Sequence, residues 1–366
     1  MSSLPLTLGC TVALSPESQE KLKSTFSSVI YKPASSKEEF TSDELSKIEI
    51  FFTRNTGPPA EVKSLDQVPK LKHVQLASAG ADKAIQHPIM QEHAKLQKDQ
   101  GKDQTGQLTL STASGTHVLS IPNYAVGMVI CLLHQLPRQI IAARNEKRWL
   151  SETEADADGE VYYARSTFNR TAGFLGYGAL GRETARLLKA HGMRIVAANT
   201  SGKASPQDGY IIPGTGDKEG SLPDEYYSTK DPKSVEKFLN QCDVLVASLP
   251  NTPATKGFLN KDRLALLPPQ AVIVNVGRGN AIPSDDLIAA LDKPNGLFGA
   301  ALDVTDPEPL PDNHPLFSHP KVIITPHVSG NTEGEMDIAA DIVVENGKRL
   351  SEGKDVLNRV EFERGY

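Results

Sequence analysis

One segment constrains the fold more than any other. Residues 171–199 read TAGFLGYGALGRETARLLKAHGMRIVAAN. A strand-like apolar run at 171–175 enters the pattern Gly176-x-Gly178-x-x-Gly181, a helical stretch follows at 179–190, and a second apolar run spans 194–198. A strand, a glycine-rich turn, a helix and a returning strand within about 30 residues form the βαβ unit that cradles a dinucleotide. The three glycines serve different ends. Gly176 permits the tight turn, Gly178 lets backbone approach a pyrophosphate, and Gly181 lets the helix pack close to the sheet. The N–H groups around Ala179 and Leu180 then face the phosphates at the positive end of the helix.

The end of the second strand bears on which dinucleotide is bound. An Asp or Glu there holds the adenosine ribose hydroxyls and marks NAD. This chain instead carries Asn199, Thr200, Ser201, Gly202 and Lys203. Without the carboxylate nothing repels a 2′-phosphate, and hydroxyl donors with one lysine suit it. NADP is therefore the preferred cofactor, with NAD as the alternative.

A length of 366 residues suits about two domains. The net charge of −6 argues against a general nucleic-acid binder. Cys10, Cys131 and Cys242 lie far apart and form no ligand spacing, so neither a metal nor a disulfide framework is expected. No apolar run reaches membrane-span length, and no basic region precedes an apolar stretch near the N-terminus. A cytoplasmic protein with no membrane or nucleic-acid partner is the expectation.

Along the chain, strand-like runs alternate with helical patterns, which implies an α/β fold with parallel sheets. Strands are expected at 4–14, 48–53, 74–77, 107–111, 171–175, 194–198, 243–247, 271–275, 298–302 and 322–325. Residues 18–30 read as a helix, 86–106 as a surface helix and loop, and 200–231 as a long loop. Residues 124–136, apolar nearly all round, read as a buried helix behind Pro122. Ser284 is expected to cap a helix over 284–291, and Thr332 with Glu335 to form a capping box at the start of the last helix.

Three further motifs follow strand-like runs: NVGRG around Arg278, ALDVTDPEPLP containing Asp303 and Glu308, and TPHVSG containing His327. Open α/β sheets bind ligands beyond the carboxyl ends of their strands. A hydride arriving at a keto carbon places negative charge on oxygen, and a histidine can protonate it. A neighbouring carboxylate orients that ring and favours its charged form. An arginine fork holds a substrate carboxylate and polarises the carbonyl. His314 and His319 lie close by, but neither directly ends a strand.

These motifs, with SLPNTPATKGFLN at 248–260, GAALDVTDPEPLPDNHPL at 299–316 and ASAGAD at 77–82, resemble the D-isomer-specific 2-hydroxyacid dehydrogenase family. The resemblance implies two Rossmann-like or flavodoxin-like domains with parallel sheets and a deep cleft between them. Residues 1–121 with 328–366 would bind substrate, and 122–327 would bind NAD(P). Arg278, Glu308 and His327 would be the catalytic trio. Asp303 would contact the nicotinamide end, and Ser248, Leu249, Pro250, Thr255, Val276, Gly277 and Gly330 would line the cofactor. Ser78, Ala79 and Gly80 would offer backbone N–H groups to the substrate carboxylate. The helix near 124–136 would support a homodimer.

The chain departs from the usual pattern at Asn123, where the family commonly has Glu, and in the long stretches 86–106 and 200–231. A regulated phosphoglycerate dehydrogenase is disfavoured because the chain ends soon after its last helix. A formate dehydrogenase is disfavoured because Glu308 stands where that subgroup has Gln. The expected activity is 2-keto acid reduction to a D-2-hydroxy acid, of glyoxylate/hydroxypyruvate reductase type. A nucleotide-sensing corepressor on the same fold is the alternative.

Overall fold

The computed structural model describes residues 3–100 and 108–361. Packing divides it into two units. The first comprises Met1–Thr116, Asp208–Tyr210 and Glu333–Tyr366, and the second comprises His117–Gln207 and Ile211–Thr332.

The first unit is built on a parallel sheet of β1 (Leu4–Cys10), β2 (Phe26–Tyr31), β3 (Ile50–Thr53), β4 (His73–Leu76) and β5 (Thr109–Ser111), in the order β2-β1-β3-β4-β5. This is the flavodoxin-like order. Strands β3 and β4 are buried at every position, as expected of strands covered on both faces. The helix expected over 18–30 ends early. Ser15 caps Pro16–Thr25 by accepting from the Ser18 N–H, and Phe26 turns extended to begin β2. As an edge strand, β2 keeps an exposed Ser27-Ser28 pair, and this polar character hides it from a reading by apolar runs.

Within the stretch 86–106 the expected surface helix is present, with one face packed inward. Helix Pro88–Gln100 buries Ile89 and Met90 completely, in one cluster with Phe51, Val74 and Leu76. Residues 101–107 of that expectation lie outside the described part. The C-terminal helix, Glu335–Ser351, places Ala339, Ala340, Ile342 and Val343 among Leu6, Leu8 and Phe26. Its N-cap is Gly334, with φ +75°, and no side chain caps it. The helix thus starts two residues later than a cap at Thr332 would set it, and Thr332 Oγ1 donates to the Gly330 carbonyl.

In the second unit a seven-stranded parallel sheet runs β8-β7-β6-β9-β10-β11-β12. The strands are β6 (Thr171–Leu175), β7 (Arg194–Asn199), β8 (Glu225–Ser228), β9 (Val244–Ala247), β10 (Val272–Asn275), β11 (Gly299–Leu302) and β12 (Val322–Ile324). In chain order this is 3-2-1-4-5-6 with one more strand, the doubly wound arrangement, whose direction reverses between β6 and β9. Strand β8 corrects the reading of 200–231 as loop throughout: the edge sequence EYYS is half exposed and lacks the apolar run of an inner strand.

The helix expected over 124–136 spans Ile121–Leu133, with Pro122 inside its first turn. Ala125, Val126, Val129, Leu132 and Leu133 are buried, whereas Tyr124, Met128 and Ile130 are only partly covered. One stripe, and not the whole circumference, faces the core. Gln135 adopts a left-handed conformation and starts a second helix, Leu136–Glu146. Ser284 is the first residue of helix Ser284–Asp292 and not its cap; Pro283 holds that place. Among the described residues, no single helix is long and apolar enough to cross a membrane.

Candidate active site

One row of residues runs straight across the large sheet. Ala198 pairs with Leu175, Leu175 with Ala247, Ala247 with Asn275, Asn275 with Leu302, and Leu302 with Ile324. The chemistry-bearing residues of the motifs singled out in this unit lie just beyond that row. Parallel strands put all their carboxyl ends on one edge, so Asn199 at the end of β7 and the loops that carry Gly176, Ser248, Arg278, Asp303 and His327 share that edge.

At the switch point, the Gly176 turn lies against the end of β9. Gly176 has φ +93°, and a Cβ there would lie 3.0 Å from the Ser248 carbonyl oxygen. Ser248 Oγ donates to the Gly176 carbonyl at 3.1 Å. A Cβ on Gly181 would lie 2.5 Å from the same Gly176 oxygen, so the helix approaches as closely as glycine allows. Gly178 has nothing within 4 Å of a would-be Cβ, and no side chain caps helix Ala179–Ala190, which begins just after it. An open glycine before an uncapped twelve-residue helix fits a dinucleotide pyrophosphate, with the Ala179 and Leu180 amides as donors.

The next two loops are equally tight. A Cβ on Gly277 would lie 2.6 Å from the Leu249 nitrogen. Thr255 Oγ1 closes its own turn by bonding to the Pro250 carbonyl at 2.7 Å and accepting from the Thr252 N–H at 3.0 Å. Buried Asn275 accepts from the Gly277 N–H at 3.1 Å and donates to the Arg278 carbonyl at 3.1 Å. Its side chain thus sets the backbone that presents Arg278. Val276 is buried beside it. A Cβ on Gly279 would lie 1.9 Å from the Thr305 oxygen, so the Arg278 turn abuts the loop after β11.

That loop and the one after β12 are joined by Asp303, which is only 2% exposed. The Asp303 backbone carbonyl accepts from the His327 N–H at 2.9 Å. Its carboxylate accepts from Thr325 Oγ1 at 2.6 Å, from the Val328 N–H at 3.1 Å, from the Ser329 N–H at 3.2 Å and from the Ser329 hydroxyl. Both carboxylate oxygens are thus engaged within the protein. A carboxylate only accepts, so the single Thr325 hydroxyl hydrogen goes to Asp303. Tyr124 must then be the donor in its 2.8 Å bond to Thr325 Oγ1. Burial pushes the Tyr124 phenol up to about 12, which keeps that donor protonated.

The anchored loop carries His327 at φ +53°, a left-handed conformation uncommon outside glycine. Its Nδ1 lies 2.5 Å from Glu308 Oε1. His314 and His319 serve elsewhere: His314 accepts from the Leu316 N–H at the start of a short helix, and His319 pairs with Asp292. Tyr124, Thr325 and Ser329 are not among the residues that the sequence singles out. Thr325 and Ser329 stand inside TPHVSG, whereas nothing in the sequence pattern marks Tyr124.

Asn199 closes a small turn. Its Oδ1 accepts from the N–H groups of Ser201 and Gly202 and from the Ser201 hydroxyl, and its Nδ2 donates to the Lys203 carbonyl at 2.8 Å. Thr200, Ser201 and Lys203 are exposed on this turn. In the first unit, Ser78 Oγ donates to the Gly80 carbonyl at 2.8 Å, and Ala79 between them is exposed. Gly330 lies beside Ile121 and His117. Among the described residues, no group of three or more His, Cys, Asp or Glu side chains is placed to hold a metal.

Residues 126–329 match the model of the D-isomer specific 2-hydroxyacid dehydrogenase NAD-binding domain. Glyoxylate/hydroxypyruvate reductase A of Salmonella paratyphi B is 34% identical over 68% of this chain and 69% of its own length. The Photorhabdus laumondii protein of that name is 32% identical, also over 68% of this chain and 69% of its own length. A D-isomer specific 2-hydroxyacid dehydrogenase from Xanthobacter autotrophicus, solved in complex with NADPH and MES, shares the fold with a TM-score of 0.72 at 24% identity, covering 99% of this chain and 100% of its own. The matched domain and the two reductases agree, and this chain belongs to the D-isomer specific 2-hydroxyacid dehydrogenase family of NAD(P)-dependent oxidoreductases.

Proposed function

We propose that this enzyme reduces a small 2-keto acid, of the glyoxylate or hydroxypyruvate class, to the D-2-hydroxy acid with NADPH preferred over NADH. The observation that carries the chemistry is the His327–Glu308 pair on the strand-end edge that also bears Arg278 and the Gly176 turn. A bound reduced nicotinamide supplies the hydride. Arg278 holds the substrate carboxylate and polarises the carbonyl. Glu308 accepts the His327 Nδ1 hydrogen, which leaves Nε2 to donate a proton to the carbonyl oxygen. Asp303 orders the loop that carries His327. The second unit is the cofactor-binding domain, and the first is the substrate-binding domain.

The cofactor preference rests on the Asn199 turn, which places no carboxylate against a 2′-phosphate and exposes Ser201 and Lys203. The substrate class is supported by the two reductases that are 32% and 34% identical. Exposed Ile140, Ile141, Trp149, Val161 and Tyr163 support a homodimer. Three free cysteines, two of them buried, fit a reducing compartment such as the cytoplasm.

A panel of 2-keto acids, followed by loss of nicotinamide absorbance with NADPH and with NADH, tests substrate and cofactor together. Turnover with glyoxylate or hydroxypyruvate and a higher kcat/KM for NADPH are expected. Equal or better use of NADH overturns the cofactor preference. Tight cofactor binding with no turnover of any keto acid favours a sensing role.

A further inference from the structure

The long connection between β7 and β8 is gripped by the helix that follows the Gly176 turn. Arg182, the residue after Gly181, is only 4% exposed. Its Nε donates to the Tyr177 carbonyl at 3.2 Å, its Nη1 to the Asp217 carbonyl at 2.5 Å and its Nη2 to the Ser205 carbonyl at 2.8 Å. The guanidinium also lies 5.1 Å from the centre of the Tyr177 ring. Burying a guanidinium is costly unless its donors are satisfied, and here carbonyls of the fingerprint turn and of the connection satisfy them.

The connection is folded tightly around this grip. Tyr177 donates its hydroxyl to Asp217 Oδ2 at 2.9 Å, and Asp217 also accepts from the Ser221 and Leu222 N–H groups. Burial pushes the Asp217 carboxyl up, but these donors outweigh it and hold the group below the usual range. Glu183, 4% exposed, accepts from the Gly216 N–H at 2.6 Å. Gly220, at φ +71°, packs so closely that a Cβ would lie 2.6 Å from the Ser205 oxygen. On the other side, Ser228 Oγ donates to the Thr200 carbonyl, and a Cβ on Gly202 would lie 3.0 Å from the Ser228 nitrogen.

The Asn199–Lys203 turn is therefore packed against β8 through Ser228, and the chain two residues beyond it is held by the fingerprint helix through Ser205. A dinucleotide must meet the Gly176–Gly181 turn and the Asn199–Lys203 turn at once. Affinity gained at the second turn depends on its being preorganised relative to the first. We infer that Arg182 is a positioning residue for cofactor selectivity: its grip on Ser205 and Asp217 sets Ser201 and Lys203 for the 2′-phosphate. This inference rests on the NADPH preference proposed above.

The test is equilibrium binding of 2′,5′-ADP and of 5′-AMP, alongside kcat and KM with NADPH and NADH. It compares the wild type with Arg182→Met, Arg182→Lys and Tyr177→Phe. In Arg182→Met, 2′,5′-ADP affinity and kcat/KM for NADPH are expected to fall about tenfold or more. Affinity for 5′-AMP and kcat/KM for NADH should stay within about threefold. The loss should appear in KM with kcat little changed, and Arg182→Lys should recover part of it. Tyr177→Phe keeps the ring and removes only the Asp217 bond, so it should shift selectivity the same way by less, and it serves if Arg182→Met does not fold. Equal losses for both nucleotides, or unchanged selectivity in the folded variants, overturn the inference and leave the NADPH preference standing. Wild-type protein that binds 2′,5′-ADP no more tightly than 5′-AMP overturns both.

Discussion

Glu308 Oε1 lies 2.5 Å from His327 Nδ1, and the two side chains, 41% and 48% exposed, come from loops that leave the neighbouring strands β11 and β12. If this pair does the acid–base work, His327→Ala should lower kcat for keto-acid reduction by about 10²–10⁴-fold. Cofactor affinity should change by less than about threefold. Glu308→Gln keeps an acceptor at Nδ1 without the charge and should cause a smaller loss, about tenfold. Steady-state kinetics with cofactor titration by fluorescence checks both. An unchanged kcat in His327→Ala refutes the assignment.

Tyr124 reaches the same loop from outside the sheet through Thr325 and Asp303. Tyr124→Phe removes one hydrogen bond and leaves Thr325 still able to donate to Asp303. A bond of this type contributes about 0.5–1.5 kcal/mol, so kcat should fall roughly two- to tenfold, with cofactor KM unchanged. Asp303→Ala removes the acceptor for Thr325, Val328 and Ser329 together and should cost more, in kcat first. A full kinetic comparison of the two variants distinguishes these outcomes.

Acid sensitivity should arise in part from His73. The residue is completely buried, bonded to Thr109 and facing Gln75. Burial pushes its imidazole down from 6.5 to about 4, partly opposed by those hydrogen bonds. Between these values the unfolded chain takes up a proton that the folded chain does not. The His73 contribution is therefore fully present above about pH 6.5 and is lost as pH falls towards about 4, to a limit of about 3 kcal/mol. Urea unfolding across this range should show the decline. His73→Gln should lower stability at neutral pH and flatten the slope.

Helix Leu136–Glu146 and the segment after it expose Ile140, Ile141 and, at 95%, Trp149. If this surface pairs two copies of the chain, wild-type protein should sediment as a dimer. Ile141→Glu with Trp149→Ser should shift it to a monomer without loss of helical signal. Wild-type protein that sediments as a monomer at micromolar concentration refutes the pairing.

Much of the large sheet is legible in the sequence because its inner strands, VLVA, VIVN and GAAL, are covered on both faces and read as unbroken apolar runs. The edge strands β2 and β8 escape such a reading for the complementary reason: their exposed sides carry Ser, Glu and Tyr. The glycines are legible as a spacing, but their individual reasons appear only in three dimensions. Gly277 yields to the Leu249 backbone and Gly279 to Thr305, neighbours 28 and 26 positions away.

By itself the sequence determined the class of fold and the dinucleotide fingerprint and singled out Arg278, Glu308 and His327 as candidates, because local periodicity and short motifs are properties of neighbouring residues. Only the tertiary structure decided what holds those residues in place. Asp303 binds Thr325 and Ser329 across more than twenty positions, Tyr124 reaches Thr325 across two hundred and one, and Arg182 grips Ser205 and Asp217. A hydrogen bond depends on distance in space, and parallel strands joined by long crossovers bring distant residues to one edge without leaving a trace in their spacing along the chain.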